Sequence, residues 1–305
     1  MPFTLSHPAA VIPLLRPPFV PAALIAGAMA PDVPYFLAAL GLSVTSRTWY
    51  EPFLNATTSH SPAGAITVTL PLALVLVAGH RLLRGPVSAL LPALPAPAPP
   101  RDPAVRARAR YAAWLLLSAL IGIATHIVWD SFTHSGGQLV DRVAFLREPG
   151  PGGPTPARLL QHLSTAAGLV VIGVHLHRRR RRPRTPRPAG TAPLTPVVRW
   201  GAAALLVLAA LLGAAAHTRG IDTYRQVTVT DTGSPIVRES GGAVTEITYP
   251  TRTENAPWTT VAEGMLSDAA KGAGAGLVVA LLLYAALWHG HRVFRAARRP
   301  GRNTV

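Results

Sequence analysis

His126 and Asp130 stand four residues apart in the run Gly122-Ile-Ala-Thr-His126-Ile-Val-Trp-Asp130-Ser-Phe-Thr-His134. On a helix they share one face, one turn above the other, and His134 extends the row if the helix continues. The run closes an apolar stretch that begins at Tyr111. Ionisable groups in such a stretch are costly to bury and by default mark a functional site. The competing reading is a helix end wetted by lipid headgroups.

More groups of the same chemistry stand at ends or interruptions of other apolar elements. His7 opens the chain, Asp32 lies in Pro31-Asp32-Val33-Pro34, and His60 lies in Thr57-Thr-Ser-His60-Ser61-Pro62. Each has a simpler explanation alone. His7 would be an idle terminal residue, Asp32 a turn residue or helix N-cap, and His60 a loop residue capping the next helix. Together, His7, Asp32, His60, His126, Asp130 and His134 form a set of imidazole and carboxylate donors for one or two divalent metal ions. Zinc is the first expectation, and manganese or iron also suits these donors. The chain has no cysteine, which excludes disulfides and thiolate sites. A metal held this way lowers the pKa of water and polarises an ester or phosphoester. A carboxylate or imidazole not engaged by the metal can then move the proton. The candidates for that role are Asp130, His134 and His162, the last at the start of a later apolar run.

The elements that must position these residues are membrane helices. Of 305 residues, 49% are hydrophobic and 14% charged, against roughly 25% charged in a soluble domain. Several apolar runs reach the length of about 17–20 residues that spans a bilayer. Five spans are clear: 66–83, 111–128, 163–176, 197–216 and 273–289. Residues 8–42 are apolar but broken by prolines. They are expected to form a re-entrant or interfacial helical hairpin, with a single spanning segment as the alternative. If 22–42 spans, His7 starts on the far side of the membrane from the other ligands; if it is re-entrant, His7 joins them. No cleavable signal peptide is evident, because the N-terminus lacks a basic region.

The net charge of +16 would suggest nucleic acid in a soluble protein. Here 19 of the 29 basic residues fall in segments 81–110, 178–199 and 292–302, which alternate correctly if all three are cytoplasmic. No nucleic-acid partner is therefore expected; the partner is the lipid bilayer. The Arg178–Arg182 block is read as a topology determinant beside anionic headgroups. His80, His175, His177, His289 and His291 stand near Arg at the same ends and are read as interface residues. Segment 217–272 carries seven acids against five bases and short strand-like runs, as an external loop should. One Lys against 28 Arg, with much Ala, Pro and Gly, is the composition of a GC-rich bacterial genome.

Several stretches together resemble a known family. They are Pro2-Phe-Thr-Leu-Ser-His7-Pro-Ala, Met29-Ala-Pro-Asp32, Ser59-His60-Ser61, His126-Ile-Val-Trp-Asp130-Ser-Phe-Thr-His134 and Gln161-His162-Leu-Ser. In this order, over about residues 1–290, they resemble a family of uncharacterised bacterial integral membrane proteins, catalogued as a domain of unknown function. The pattern is loosely similar to bacterial inner-membrane proteins named membrane-bound metal-dependent hydrolases. A further similarity is to the helical zinc-dependent phospholipase C and nuclease group. This chain departs from that group in lacking an N-terminal Trp ligand and a His-x-x-x-Glu on a later helix.

The expectation is an all-α polytopic membrane protein of about five to six transmembrane helices with an N-terminal broken helical hairpin. Residues 1–182 would form the membrane domain with the His/Asp constellation, and 183–196 a basic Pro-rich linker. Residues 197–290 would be a C-terminal helix pair with the external loop 217–272, and 291–305 a basic tail. The expected location is the bacterial cell membrane, with the C-terminus cytoplasmic. The expected function is a metal-dependent hydrolase acting on a lipid-like ester or phosphoester at the external face. The alternative is a non-enzymatic membrane protein, either a transport component whose polar row relays ions or protons, or a scaffold. A binding role for 217–272 is a third possibility.

Overall fold

The computed structural model of the chain describes residues 4–42, 50–90, 105–134, 136–149, 154–181, 194–230, 233, 236–240 and 243–297. The basic linker from 182 to 193, the end of the tail from 298 and the Pro-rich stretch 91–104 lie outside the described residues.

The chain starts with a 3-10 helix, Thr4–Leu14, containing Pro8 and Pro13. These prolines have no N–H to donate, which disfavours an α-helical ladder there. After Arg16 the chain reverses into α1 (Pro21–Met29), which begins with proline at its first position and an apolar sequence. A short 3-10 turn, Ala30–Asp32, leads into α2 (Val33–Ala39). The 3-10 helix packs back against α1, so residues 4–39 form a hairpin. Residues 21–39 are at the same time long and apolar enough to cross a membrane. The segment preceding α1 folds back along it, so the hairpin contains a segment of spanning length.

Short helices α3 (Glu51–Leu54), α4 (Ala56–Ser59) and α5 (Pro62–Gly64) follow. A π-helical stretch, Ala65–Thr69, feeds α6 (Leu70–Leu90). The long helix α7 spans Val105–Thr133. Two short helices, α8 (Gln138–Arg142) and α9 (Ala144–Arg147), precede α10 (Pro156–Arg180) and α11 (Pro196–His217). Next come α12 (Ile221–Arg225) and four strands: β1 (Gln226–Thr230), β2 (Ile236–Ser240), β3 (Ala243–Thr248) and β4 (Thr251–Asn255). Strand β1 pairs with β4 and β2 with β3, both antiparallel. The last helix, α13, runs from Trp258 to Ala297.

Among the described residues, six helical segments are long and apolar enough to cross a membrane. The last, Trp258–Arg295, is 38 residues long, more than one bilayer crossing needs, and its first part carries Glu263, Asp268 and Lys271.

The contacts divide the chain into two units, 1–204 with 281–305, and 205–280. In the first unit the closest packing is between α1 and α7. A Cβ at Gly27 would strike the Ala119 carbonyl oxygen, and one at Gly122 would strike that of Leu24. Glycine is thus required at both positions for the backbones to meet, as in small-residue interfaces between membrane helices. Ala23, Ala26, Ala30, Ala119 and Ile123 bury around this contact together with Ala73 and Val77 of α6. At the start of α1 the Val20 N–H donates to Ser118 Oγ at 3.0 Å, so a hydroxyl on α7 caps it. In the second unit Tyr224 donates to Asp268 at 2.9 Å, tying α12 to α13.

Candidate metal centre

Helix α7 supplies three of the donors. It persists to Thr133, and the His134 N–H continues the ladder to the Asp130 carbonyl at 3.0 Å. The row His126, Asp130, His134 is therefore a single face. Gly136, at a φ of 83° that disfavours other residues, then turns the chain away.

The close approach of α1 to α7 fixes the first of them. His126 is fully buried, and its Nδ1 donates to the Ala28 carbonyl at 2.8 Å. That carbonyl can only accept, so Nδ1 carries the hydrogen and Nε2 presents a lone pair. His60, at the end of α4, is oriented the same way: its Nδ1 donates to the Ala56 carbonyl at 2.8 Å. An imidazole whose far nitrogen is anchored on a backbone carbonyl is how metal-ligating histidines are commonly held. The two Nε2 atoms face each other at 3.3 Å. Two lone pairs at that distance repel unless a proton or a cation lies between them.

Asp32 closes the same cavity from the turn between α1 and α2. It occupies an N-cap position yet makes no side-chain cap, and the cap of α5 is Ser61 rather than His60. Neither Asp32 nor His60 therefore caps the helix that follows it. Instead, Asp32 Oδ2 accepts from Thr4 Oγ1 at 2.6 Å, leaving Oδ1 turned inward. Ser59 donates to the Pro31 carbonyl at 2.7 Å, and Thr69 donates to the Ser59 carbonyl at 2.7 Å. These bonds stitch the loop carrying His60 to the turn carrying Asp32.

Asp32, His60, His126 and Asp130 form a group that can hold a metal ion, their ligand atoms lying within 4.8 Å of one another. His126 Nε2 is 3.2 Å from Asp130 Oδ2 and 3.5 Å from Asp32 Oδ1, and His60 Nε2 is 3.4 and 3.6 Å from the same oxygens. Four donors about 2.0–2.2 Å from one ion in a tetrahedron stand about 3.3–3.6 Å apart. The five separations that involve an imidazole, 3.2–3.6 Å, lie close to that spacing. Asp32 and Asp130 are 1% and 7% exposed, so two carboxylates are buried together with imidazoles. Buried charges of one sign call for a counter-charge, and a divalent cation supplies it in full.

His7 and His134 stand on the other side of Asp130. His7 Nε2 is 3.5 Å and His134 Nδ1 is 3.4 Å from Asp130 Oδ1. His7 is buried, not idle at a terminus, and its ring stacks on that of His126 with centroids 3.9 Å apart. Burial, and next the neighbouring His126, push His7 down to about 4, so at neutral pH it is the uncharged imidazole that ligates metals. For His60 burial also disfavours charge, but the carboxylates of Asp130 and Asp32 outweigh it and raise its pKa to about 9. The same carboxylates draw a cation to the same point. His7 Nε2, Asp32 Oδ1, Asp130 Oδ1 and His134 Nδ1 are buried with no hydrogen-bond partner, the pattern of donors reserved for a ligand.

The structure thus brings all six expected metal ligands into one cluster. His162 lies on α10 outside the four-residue group, with its side chain exposed. Thr4 was not singled out from the sequence, although it sits three residues before His7 in the opening motif. The carbonyls of Ala28 and Ala56 leave no trace in side-chain identity. The cluster is open to its surroundings at His60 and His134, whose side chains are 22% and 26% exposed. Tyr35 lies next to His60, their ring centroids 6.5 Å apart.

A family model described as Domain of unknown function (DUF4184) matches residues 1–286, and the chain belongs to that family. No curated protein and no solved structure matches the chain.

Proposed function

For this member of the DUF4184 family we propose a membrane-embedded hydrolase that uses a divalent metal, zinc first among the candidates, to cleave a lipid-like ester or phosphoester. The observation that carries the reading is the convergence of Asp32, His60, His126 and Asp130, with both imidazoles anchored through Nδ1 on backbone carbonyls. Donors strung along a path through the helices would support an ion or proton relay; donors gathered at one point support a bound ion.

When bound, the metal supplies Lewis acidity to the substrate oxygen and brings the pKa of water towards neutrality. The chain's own groups do the rest. Asp32 and Asp130 provide the negative charge that retains the ion, and Thr4 holds Asp32 by its outer oxygen. His134, partly exposed beside the opening, is the group available to accept a proton from an attacking water, with Asp130 behind it. His162 is a second candidate for proton transfer, from α10.

The distribution of Arg supports a cytoplasmic C-terminus and an external 217–272 segment. By that count the cluster faces outward, at headgroup depth, where a lipid-like substrate presents its ester or phosphate. Metal analysis of the protein purified in detergent tests the reading. The wild type is expected to carry stoichiometric metal, and His126→Ala and Asp130→Ala to lose it. A metal-free wild type, or undiminished metal in both variants, overturns it. Activity against phospholipid and ester substrates, lost with the metal and restored by adding it back, tests the hydrolase assignment itself.

A further inference from the structure

Asp130 presents its two oxygens to different partners. Oδ2 faces His126 and His60 at 3.2 and 3.4 Å, whereas Oδ1 faces His7 and His134 at 3.5 and 3.4 Å. Oδ1, His7 Nε2 and His134 Nδ1 are each buried and without a hydrogen-bond partner. The four-donor group already accounts for Asp32 Oδ1, His60, His126 and Asp130 Oδ2. It leaves the three atoms on the other side of the carboxylate unexplained.

We propose that His7, His134 and Asp130 form a second divalent-metal site, that Asp130 bridges the two ions, and that the pair selects anionic phosphoesters as substrates. This rests on the single-ion reading above and extends it: His134 becomes a metal ligand, and proton transfer passes to His162, the other candidate for that role. Three protein donors with a partly exposed His134 leave coordination positions open, as in catalytic rather than structural sites. Two ions sharing one carboxylate resemble the paired-metal clamps that hold attacking and leaving oxygens in phosphoryl chemistry.

The charge balance gives the substrate class. Two divalent ions bring four positive charges, against one each from Asp32 and Asp130 in the negative sense. With neutral imidazoles the loaded centre is left with two uncompensated positive charges. A phosphomonoester dianion offsets both charges and a phosphodiester anion one of them while filling open positions, whereas a neutral carboxylic ester brings no charge. The second ion, with one shared carboxylate, is the weaker of the two, and a phosphate ligand strengthens its binding.

The test is cobalt titration of the full-length, metal-stripped protein in detergent, following visible absorption and the magnetic coupling of the two ions. The wild type is expected to take up two equivalents, the second more weakly by at least about tenfold. Inorganic phosphate is expected to tighten the second step and leave the first unchanged. His134→Ala and His7→Ala are expected to take up one equivalent and show no coupling or phosphate effect. His60→Ala is expected to lose the tight step.

A wild type that takes up a single equivalent, lost in His60→Ala and unchanged in His134→Ala, overturns the second site while leaving the first intact. Two equivalents with no response to phosphate overturn the substrate class. No uptake at all overturns the single-ion reading as well. The wild-type stoichiometry decides the matter even where a variant does not fold.

Discussion

The residue that does most is Asp130, because both its oxygens face donors while its backbone still serves α7. Asp130→Asn keeps the volume and removes the charge. It is expected to lower metal affinity more than any single His→Ala change, read by competition against a chromophoric chelator. Thr4 acts one step further out, on the far oxygen of Asp32. Partners of metal ligands are worth about 10–100-fold in affinity. Thr4→Val is therefore expected to weaken metal binding by a factor in that range and Thr4→Ser to restore it, measured by the same titration. Equal affinity in Thr4→Val and wild type would show that the hydroxyl does not orient Asp32.

At the scale of elements, the site depends on how closely α1 approaches α7. His126 reaches the Ala28 carbonyl because Gly27 and Gly122 let the two backbones touch. Neither backbone can move aside for a new Cβ, so Gly122→Val forces the helices apart. Such overpacking costs about 1–3 kcal/mol, and more where backbone is struck. The expected outcome is a lower melting temperature in detergent together with a lower metal content. A variant that melts lower but binds metal normally would separate helix packing from the site. The 3-10 helix Thr4–Leu14 is the second device. Runs of 3-10 structure this long are uncommon. Here the extended rise carries His7 and Thr4 back alongside α1, so residues 28 or more positions apart in sequence meet at Asp32.

For the whole molecule, the exposed face is rich in large apolar side chains, among them Val75, Leu163, Val170 and Leu283. That is the surface of a protein solvated by lipid, and it agrees with six helical segments long enough to cross a bilayer. The chain has no cysteine, so single introduced cysteines report topology without background. A membrane-impermeant maleimide applied to intact cells is expected to label Thr251→Cys, and to label Arg302→Cys only after lysis. The opposite pattern would invert the proposed orientation. Chelation offers a second test on the whole fold. Removing a bound metal is expected to lower the melting temperature of the wild type and leave an Asp130→Ala variant unmoved, because only a ligand bound to the folded state adds stability.

The sequence by itself determined the solvent, the class of fold and the donors. Hydropathy reports on the bilayer directly, since a span must satisfy its backbone internally and carry apolar side chains. The spacing of His126 and Asp130 reports on one helix face, because helical periodicity is local. The choice of His and Asp without Cys restricts the chemistry through the donors' own properties. What only the tertiary structure decided is which donors meet and which atoms they offer. His7 belongs to the cluster because the N-terminal segment folds back along α1, and the backbone approach at Gly27 and Gly122 selects the tautomer of His126. The first depends on a chain reversal within the first 30 residues and the second on contacts between residues about a hundred positions apart, and no local pattern in the chain is sensitive to either. The placement of Asp130 between two sets of imidazoles is of the same kind: a carboxylate's two oxygens are equivalent in sequence and become different only when separate elements bring separate partners to them.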